Sequence, residues 1–120
     1  MSGVIRFGTK TDKESMWFCS GWCFRGILDA VIEKNRDDDD LVRIVQRAKV
    51  HNGLHLERVA EESSQLARRI REAIESAALN TIKSKQPLVG NARALGADEM
   101  RMYRRAVAEL LEIARNSREK

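Results

Sequence analysis

Hydrophobic residues recur at steps of three and four positions between residues 11 and 34. The stripe consists of Trp17, Gly21, Phe24, Leu28 and Val31. This spacing places its members on one face of an α-helix. Thr11 and Glu14 add a capping box, in which each side chain bonds the backbone amide of the other residue. We therefore predict a first helix from Thr11 to about Lys34, preceded by a short extended arm at residues 3–8.

A second apolar stripe lies beside the first on the same predicted helix. Its members are Phe18, Cys19, Trp22, Cys23 and Ile27. The run from Met16 to Phe24 holds four of the six aromatic residues of the chain. A helix that is apolar over most of its girth either packs on two sides or keeps one side for a partner. The pattern predicts a partner-binding surface formed by Trp17, Phe18, Trp22 and Phe24.

The polar run Asp37–Asp40 precedes the next apolar pattern, and one of its aspartates is expected to cap a second helix. From there a heptad pattern passes through Asn52 and Ser63 without a change of phase. Two alternatives stay open: two helices separated at Asn52–Gly53, or one bent helix. In both, residues 54–82 form the spine, and the polar positions Asn52 and Ser63 in its seam favour pairing with another chain or copy.

The only proline of the chain lies in residues 84–90, which predicts a connection there. Asp98 is expected to cap a last helix whose apolar face is the cleanest in the sequence: Met100, Tyr103, Val107, Leu110, Leu111 and Ala114. The predicted fold is all-α: a compact bundle of about four helices with a short extended N-terminal arm. Residues 1–120 are expected to form a single helical domain, with the first helix at its centre.

The composition fits a folded chain with an uneven charge. Its 120 residues suffice for one domain, and 42% hydrophobic with 33% charged residues excludes a disordered or low-complexity chain. The formal net charge is +4; residues 1–40 carry six Lys or Arg against eight Asp or Glu, and residues 41–120 carry sixteen against ten. This basic later part favours an acidic partner, either nucleic acid or a protein surface.

The weakly polar segment 16–32 contains Arg25 and Asp29, and is too short to cross a bilayer. The start of the chain lacks the pattern of a secretory signal peptide. Two cysteines are too few for a secreted disulfide scaffold. We therefore expect a cytoplasmic protein that makes no membrane contact.

Two pairs of metal-binding residue types stand at helical spacing: Cys19 with Cys23, and His51 with His55. Two such pairs on neighbouring helices would form a Cys2His2 zinc site. The alternative is that the thiols are buried packing residues and the histidines lie at the surface. We expect no cofactor, and zinc is the alternative. No catalytic signature is present, so the sequence does not predict an enzyme.

Arginines are clustered on two predicted helices, as expected of a surface that neutralises phosphates. The members of this alternative site are Arg68, Arg69, Arg71, Arg101, Arg104 and Arg105. Several of them have a glutamate one turn on, which is equally typical of a solvated helix face.

The preferred interpretation is a small non-enzymatic protein-binding domain that acts through helix surfaces. Such a domain would serve as an immunity-type inhibitor, an adaptor or a regulatory subunit, with a protein partner or a second copy of itself. A nucleic-acid-binding helical protein is the first alternative, and a zinc-stabilised helical domain is the second.

Overall fold

Five helices and a small sheet make up the part of the chain that the computed structural model describes, residues 2–7, 16–83 and 97–118. The strands are β1 (Ser2–Arg6), β2 (Met16–Ser20) and β3 (Gly53–His55). The helices are α1 (Gly21–Lys34), α2 (Asp39–His51), α3 (Leu56–Glu62), α4 (Ser64–Lys83) and α5 (Ala97–Arg118). The prediction of a mostly helical, compact fold is confirmed, and the prediction that it is all-α with about four helices is wrong.

The sheet has the strand order β2-β1-β3, with β1 antiparallel to β2 and parallel to β3. Because successive side chains of a strand point to opposite faces, the register divides the sheet into two faces. The inner face, which packs on the helices, carries Gly3, Ile5, Trp17, Cys19 and Leu54. The outer face carries Val4, Arg6, Met16, Phe18, Gly53 and His55.

The predicted first helix is too long at its start. Residues 16–20 form a strand, and the helix begins only at Gly21. Trp17 fits both the helical spacing with Gly21 and the alternation of a strand, and pairing with β1 decides between the two. The predicted arm is therefore the central strand of the sheet, while the capping box at Thr11 lies outside the described residues.

The predicted spine is interrupted twice. Asn52 adopts the left-handed conformation, with φ 56° and ψ 30°, and ends α2, and β3 follows it directly. Ser63 is extended, and its Oγ accepts a hydrogen bond from the Leu66 amide at 3.1 Å, which caps α4. Both polar residues therefore end or start helices, and the continuous helical seam predicted through Asn52 and Ser63 is not formed.

The aspartate run caps α2 as predicted. The Leu41 amide donates to Asp38 Oδ1 at 3.3 Å, and Asp39 and Asp40 lie in the first turn, where their charges favour the positive helix end. Asp38 also pairs with Arg69 of α4 at 3.1 Å. This ion pair joins the start of α2 to α4.

The core lies between the inner face of the sheet and the helices, and α1 packs against α2, α4, α5 and both long strands. The apolar face predicted for the last helix is buried from Tyr103 to Ala114, although α5 begins at Ala97, one residue before the expected cap. The radius of gyration is 13.3 Å, as expected for a compact chain of this length. No described helix is long and apolar enough to span a bilayer. The connection at residues 84–90 lies outside the described part, so the single domain stays a prediction.

Candidate binding surface

The structure separates the four aromatic residues predicted to bind a partner. Trp17 is 1% exposed and Phe24 is fully buried, whereas Phe18 is 60% exposed. The side chain of Trp22 lies outside the described part. Trp17 and Phe24 therefore belong to the core, which corrects their assignment to a partner surface, and Phe18 is the one described member of the set that faces solvent.

Trp17 and Phe24 hold the sheet against the helices. The Trp17 indole Nε1–H donates to the backbone oxygen of Ala106 in α5, at 2.9 Å. The Phe24 ring covers Gly3 so closely that a Cβ built on Gly3 would lie 2.2 Å from Phe24 Cγ. Since β2 is fixed with Trp17 inward, the alternation of the strand directs Phe18 outward.

Phe18 lies in an apolar area of the outer face. Val4 is directly opposite Phe18 on β1, and Met16 is two residues before it on β2, so the three side chains are neighbours. Val4 and Met16 are half-buried. We call Val4, Met16 and Phe18 the outer-face patch. Met102 of α5 is a second exposed apolar side chain, 65% exposed.

The other side of the outer face is polar. Glu57 Oε1 lies 3.6 Å from Arg6 Nε and 3.7 Å from His55 Nδ1, so one carboxylate lies beside side chains of both β1 and β3. A Cβ built on Gly53 would lie 3.2 Å from His55 Nε2 and 3.6 Å from Val4 Cγ1. His55 therefore packs beside Val4, and the polar groups are continuous with the outer-face patch.

The structure does not bring the four candidate zinc ligands together. Cys19 lies on the inner face and Cys23 is buried in α1, whereas His55 lies on the outer face and His51 is exposed at the end of α2. Among the described residues, no group of three or more His, Cys, Asp or Glu side chains is placed to hold a metal ion. The Cys2His2 arrangement is therefore not formed.

Burial also determines the chemistry of the cysteines. Desolvation, with a smaller effect from Cys23, raises the pKa of the Cys19 thiol far above its ordinary value. A protonated thiol is a poor nucleophile, since the thiolate is the reactive form. Burial suits both cysteines to packing, and neither His51 nor His55 lies with them on the inner side of the sheet.

Tyr103 is fully buried in α5, and its hydroxyl faces Gly26 of α1: a Cβ built on Gly26 would lie 3.0 Å from Tyr103 Oη. Burial, with smaller effects from Cys23, Cys19 and Asp29, raises the pKa of the Tyr103 phenol well above its ordinary value. The glycine allows this close approach between α1 and α5. Burial therefore favours the neutral phenol in the folded protein.

We expect the raised pKa of Tyr103 to make unfolding pH-dependent in alkali. Above about pH 10 the unfolded chain loses the phenolic proton and the folded chain keeps it, so stability is complete below that pH and falls above it. Because Tyr103 is the only tyrosine, absorbance at 295 nm reports its ionisation alone. The rise in absorbance should coincide with the loss of helical circular dichroism. Phenolate forming near pH 10 in a protein that is still helical would contradict this assignment.

The six arginines of the predicted nucleic-acid site are divided between α4 and α5. Arg69 is paired with Asp38 at 3.1 Å, and Arg101 with Asp98 at 3.7 Å. Arg68 and Arg105 are exposed, and Arg71 and Arg104 are half-buried. At least two of the six arginines, Arg69 and Arg101, therefore already lie in ion pairs with described residues.

Sequence reasoning missed the outer face itself, because residues 16–20 were assigned to a helix. The signal that could have found it is the alternation of Met16, Trp17, Phe18 and Cys19 next to the β-favouring residues of β1. The cluster of Arg6, His55 and Glu57 joins segments that are about fifty positions apart. No local sequence pattern predicts this cluster.

Fold and surface together define a small, mostly helical protein with an apolar patch on a three-stranded sheet. Comparisons with protein-family models, with curated proteins and with solved structures found no match. The function is therefore inferred from the geometry of the chain.

Proposed function

We propose that this chain is a non-enzymatic protein-binding domain whose contact surface is the outer-face patch. The observation that carries the proposal is Phe18, a large aromatic side chain that is 60% exposed beside the apolar side chains of Val4 and Met16. Single exposed apolar residues are common on proteins, but contiguous ones are typical of interaction sites. Aromatic side chains in such patches contribute much of the binding energy at protein interfaces.

The alternatives have weaker support. A nucleic-acid surface on α4 and α5 would have to use Arg69 and Arg101, which already lie in ion pairs. A zinc-stabilised domain would need Cys19 and His55 on the same side of the sheet, and they lie on opposite faces. The sequence favoured helix surfaces for binding; the exposed aromatic side chain lies on a strand, so the proposed contact is made by the sheet.

The proposed partner is a different protein with an acidic surface. The chain carries a net charge of +4, so two copies would repel each other, whereas an acidic partner would be attracted. An immunity-type inhibitor, an adaptor and a regulatory subunit all act by covering such a partner. All three roles therefore require the same step, the binding of the chain to the surface of its partner.

The test is a photo-crosslinking amino acid, p-benzoylphenylalanine, placed at position 18 in the cells that make the protein. We expect an adduct with one protein species, because the side chain at this position would lie within the interface. The matched control is the same amino acid at Val50, which is 77% exposed on α2 and lies outside the outer face.

The adduct at position 18 should be lost when Val4 and Met16 are both replaced by serine. No adduct at position 18, or an equal yield from positions 18 and 50, would contradict the proposal. An adduct between two copies of this chain would identify self-association and would overturn the choice of an acidic partner.

A further inference from the structure

An open groove of about 550 Å³ lies between α2, β3 and α3, next to the polar side of the outer face. Its floor is aliphatic, formed by Ile44, Ala48, Leu54 and Val59. We propose that this groove binds an extended acidic segment of a protein, in which carboxylates alternate with aliphatic side chains. The inference rests on the proposed function, since it takes the ligand to be part of a protein.

Four basic side chains from three elements surround the floor. Arg47 and His51 are one turn apart on α2, His55 is on β3, and Arg58 is on α3. One carboxylate, Glu62, lines the same groove. The two arginines outnumber it, so the groove favours a ligand with negative charge.

The cations on the other faces of α2 are neutralised within the chain. Arg43 pairs with Asp40 at 3.5 Å, and Lys49 pairs with Asp29 of α1. Among the described residues, by contrast, neither Arg47 nor Arg58 has an ion-pair partner. The two arginines of α2 and α3 that have no ion-pair partner among the described residues thus both lie at the groove, where an external anion can pair with them.

The lining favours a peptide over a nucleic acid. Among the described residues that line the groove, none is phenylalanine, tryptophan or tyrosine, the residues on which unpaired bases stack most readily. The aliphatic floor instead suits leucine or valine side chains. In an extended segment, alternate side chains point to opposite sides, so aliphatic groups can enter the floor while the flanking carboxylates lie level with Arg47 and Arg58.

The histidines make the test site-specific. The chain contains only two, His51 and His55, and both line the groove, so their ring proton resonances report its occupation directly. The probe is a capped hexapeptide of alternating glutamate and leucine, added to the full-length protein at neutral pH. We expect both ring resonances to shift saturably with this peptide, and to shift little with the matched glutamine–leucine or lysine–leucine hexapeptides.

Replacing both groove arginines, as R47Q/R58Q, should weaken binding by at least about tenfold, because two charge-assisted contacts are lost. The matched control is R43Q, which removes a charge from the same helix one turn away and should change the affinity by less than about twofold. Equal binding of R47Q/R58Q and the unsubstituted protein would overturn the proposal. So would the absence of any shift at millimolar peptide.

Two other occupants have their own signatures, and each would overturn the proposal. A single-stranded oligonucleotide that shifts the histidine resonances at lower concentration than the peptide would identify a nucleic-acid site. Histidine shifts that depend on protein concentration without peptide, and that D39N/D40N removes, would identify the acidic run of a second copy as the ligand.

The result of the peptide-binding experiment can be distinguished from that of the crosslinking experiment on the outer-face patch. Replacement of Phe18 by serine should leave peptide binding unchanged, because Phe18 does not line the groove. Peptide binding that depends on Arg47 and Arg58 supports the groove even if crosslinking at position 18 fails. Crosslinking at position 18 without peptide binding supports the patch and overturns the groove.

Discussion

Replacement of Trp17 by alanine will lower the free energy of unfolding by about 4 kcal/mol, within the range for emptying the site of a large buried aromatic ring. Trp17 is 1% exposed, and its indole nitrogen donates to the Ala106 oxygen at 2.9 Å. The substitution removes both the packing between the sheet and α5 and the hydrogen bond that orients it. Urea denaturation followed by circular dichroism measures the loss.

The adjacent residue provides the matched control for Trp17. Replacing Phe18 by alanine changes the same strand at the opposite face, where the ring is 60% exposed, and should alter stability by less than about 0.5 kcal/mol. Phenylalanine at position 17 keeps most of the apolar contact and loses the hydrogen bond. The free energy of unfolding of this variant should therefore lie between those of the two alanine variants. If the alanine variants at positions 17 and 18 were equally stable, Trp17 could not be the link between β2 and α5.

Replacement of Gly3 by alanine is expected to cost about 3 kcal/mol, at the upper end of the range for overpacking a core. The added methyl group would lie 2.2 Å from Phe24 Cγ and 2.4 Å from the two neighbouring ring carbons. Neither β1 nor α1 can move to make room for the methyl group without losing other contacts, because Ile5 of β1 and Ile27 of α1 are fully buried. Denaturant unfolding measures this effect too.

Gly53 provides the comparison for Gly3, because it takes the same substitution on the strand next to β1. There the new methyl group would meet the tip of the half-buried His55 ring at 3.2 Å, and a shift of the ring by a few tenths of an ångström relieves the contact. We expect a change of less than about 1 kcal/mol. The double variant with Gly3→Ala and Phe24→Leu should be more stable than the sum of the single effects predicts, since the smaller side chain makes room for the methyl group. Equal losses for the two glycines would contradict the close contact.

The predictions from the sequence succeeded where the determining interactions are local. The cap of α2 depends on Asp38 and an amide three residues away, and the apolar face of α5 depends on a repeat within one helix, so both could be predicted. The strand at residues 16–20 depends on pairing with β1, which lies ten or more positions away. Helical spacing at Trp17 could not reveal that pairing.

The candidate sites were still harder to predict. Phe18 and Trp17 were both predicted to bind a partner, and the structure exposes the first and buries the second, because the register of the sheet places them on opposite faces. The groove is formed by α2, β3 and α3 together, and the sequence of no single one of these elements predicts it. His51 and His55 were selected for their spacing as metal ligands, and the structure places both at this groove.

The bond between Trp17 and Ala106 also has a consequence for biosynthesis. It joins residues 89 positions apart in the sequence. During translation, Trp17 therefore leaves the ribosome long before α5, which contributes to its burial, has been synthesised. Contacts of such long range slow folding and leave apolar surface open to other chains in the meantime. Until α5 has been translated, the Trp17 indole lacks its backbone acceptor and β2 lacks its contacts with α5.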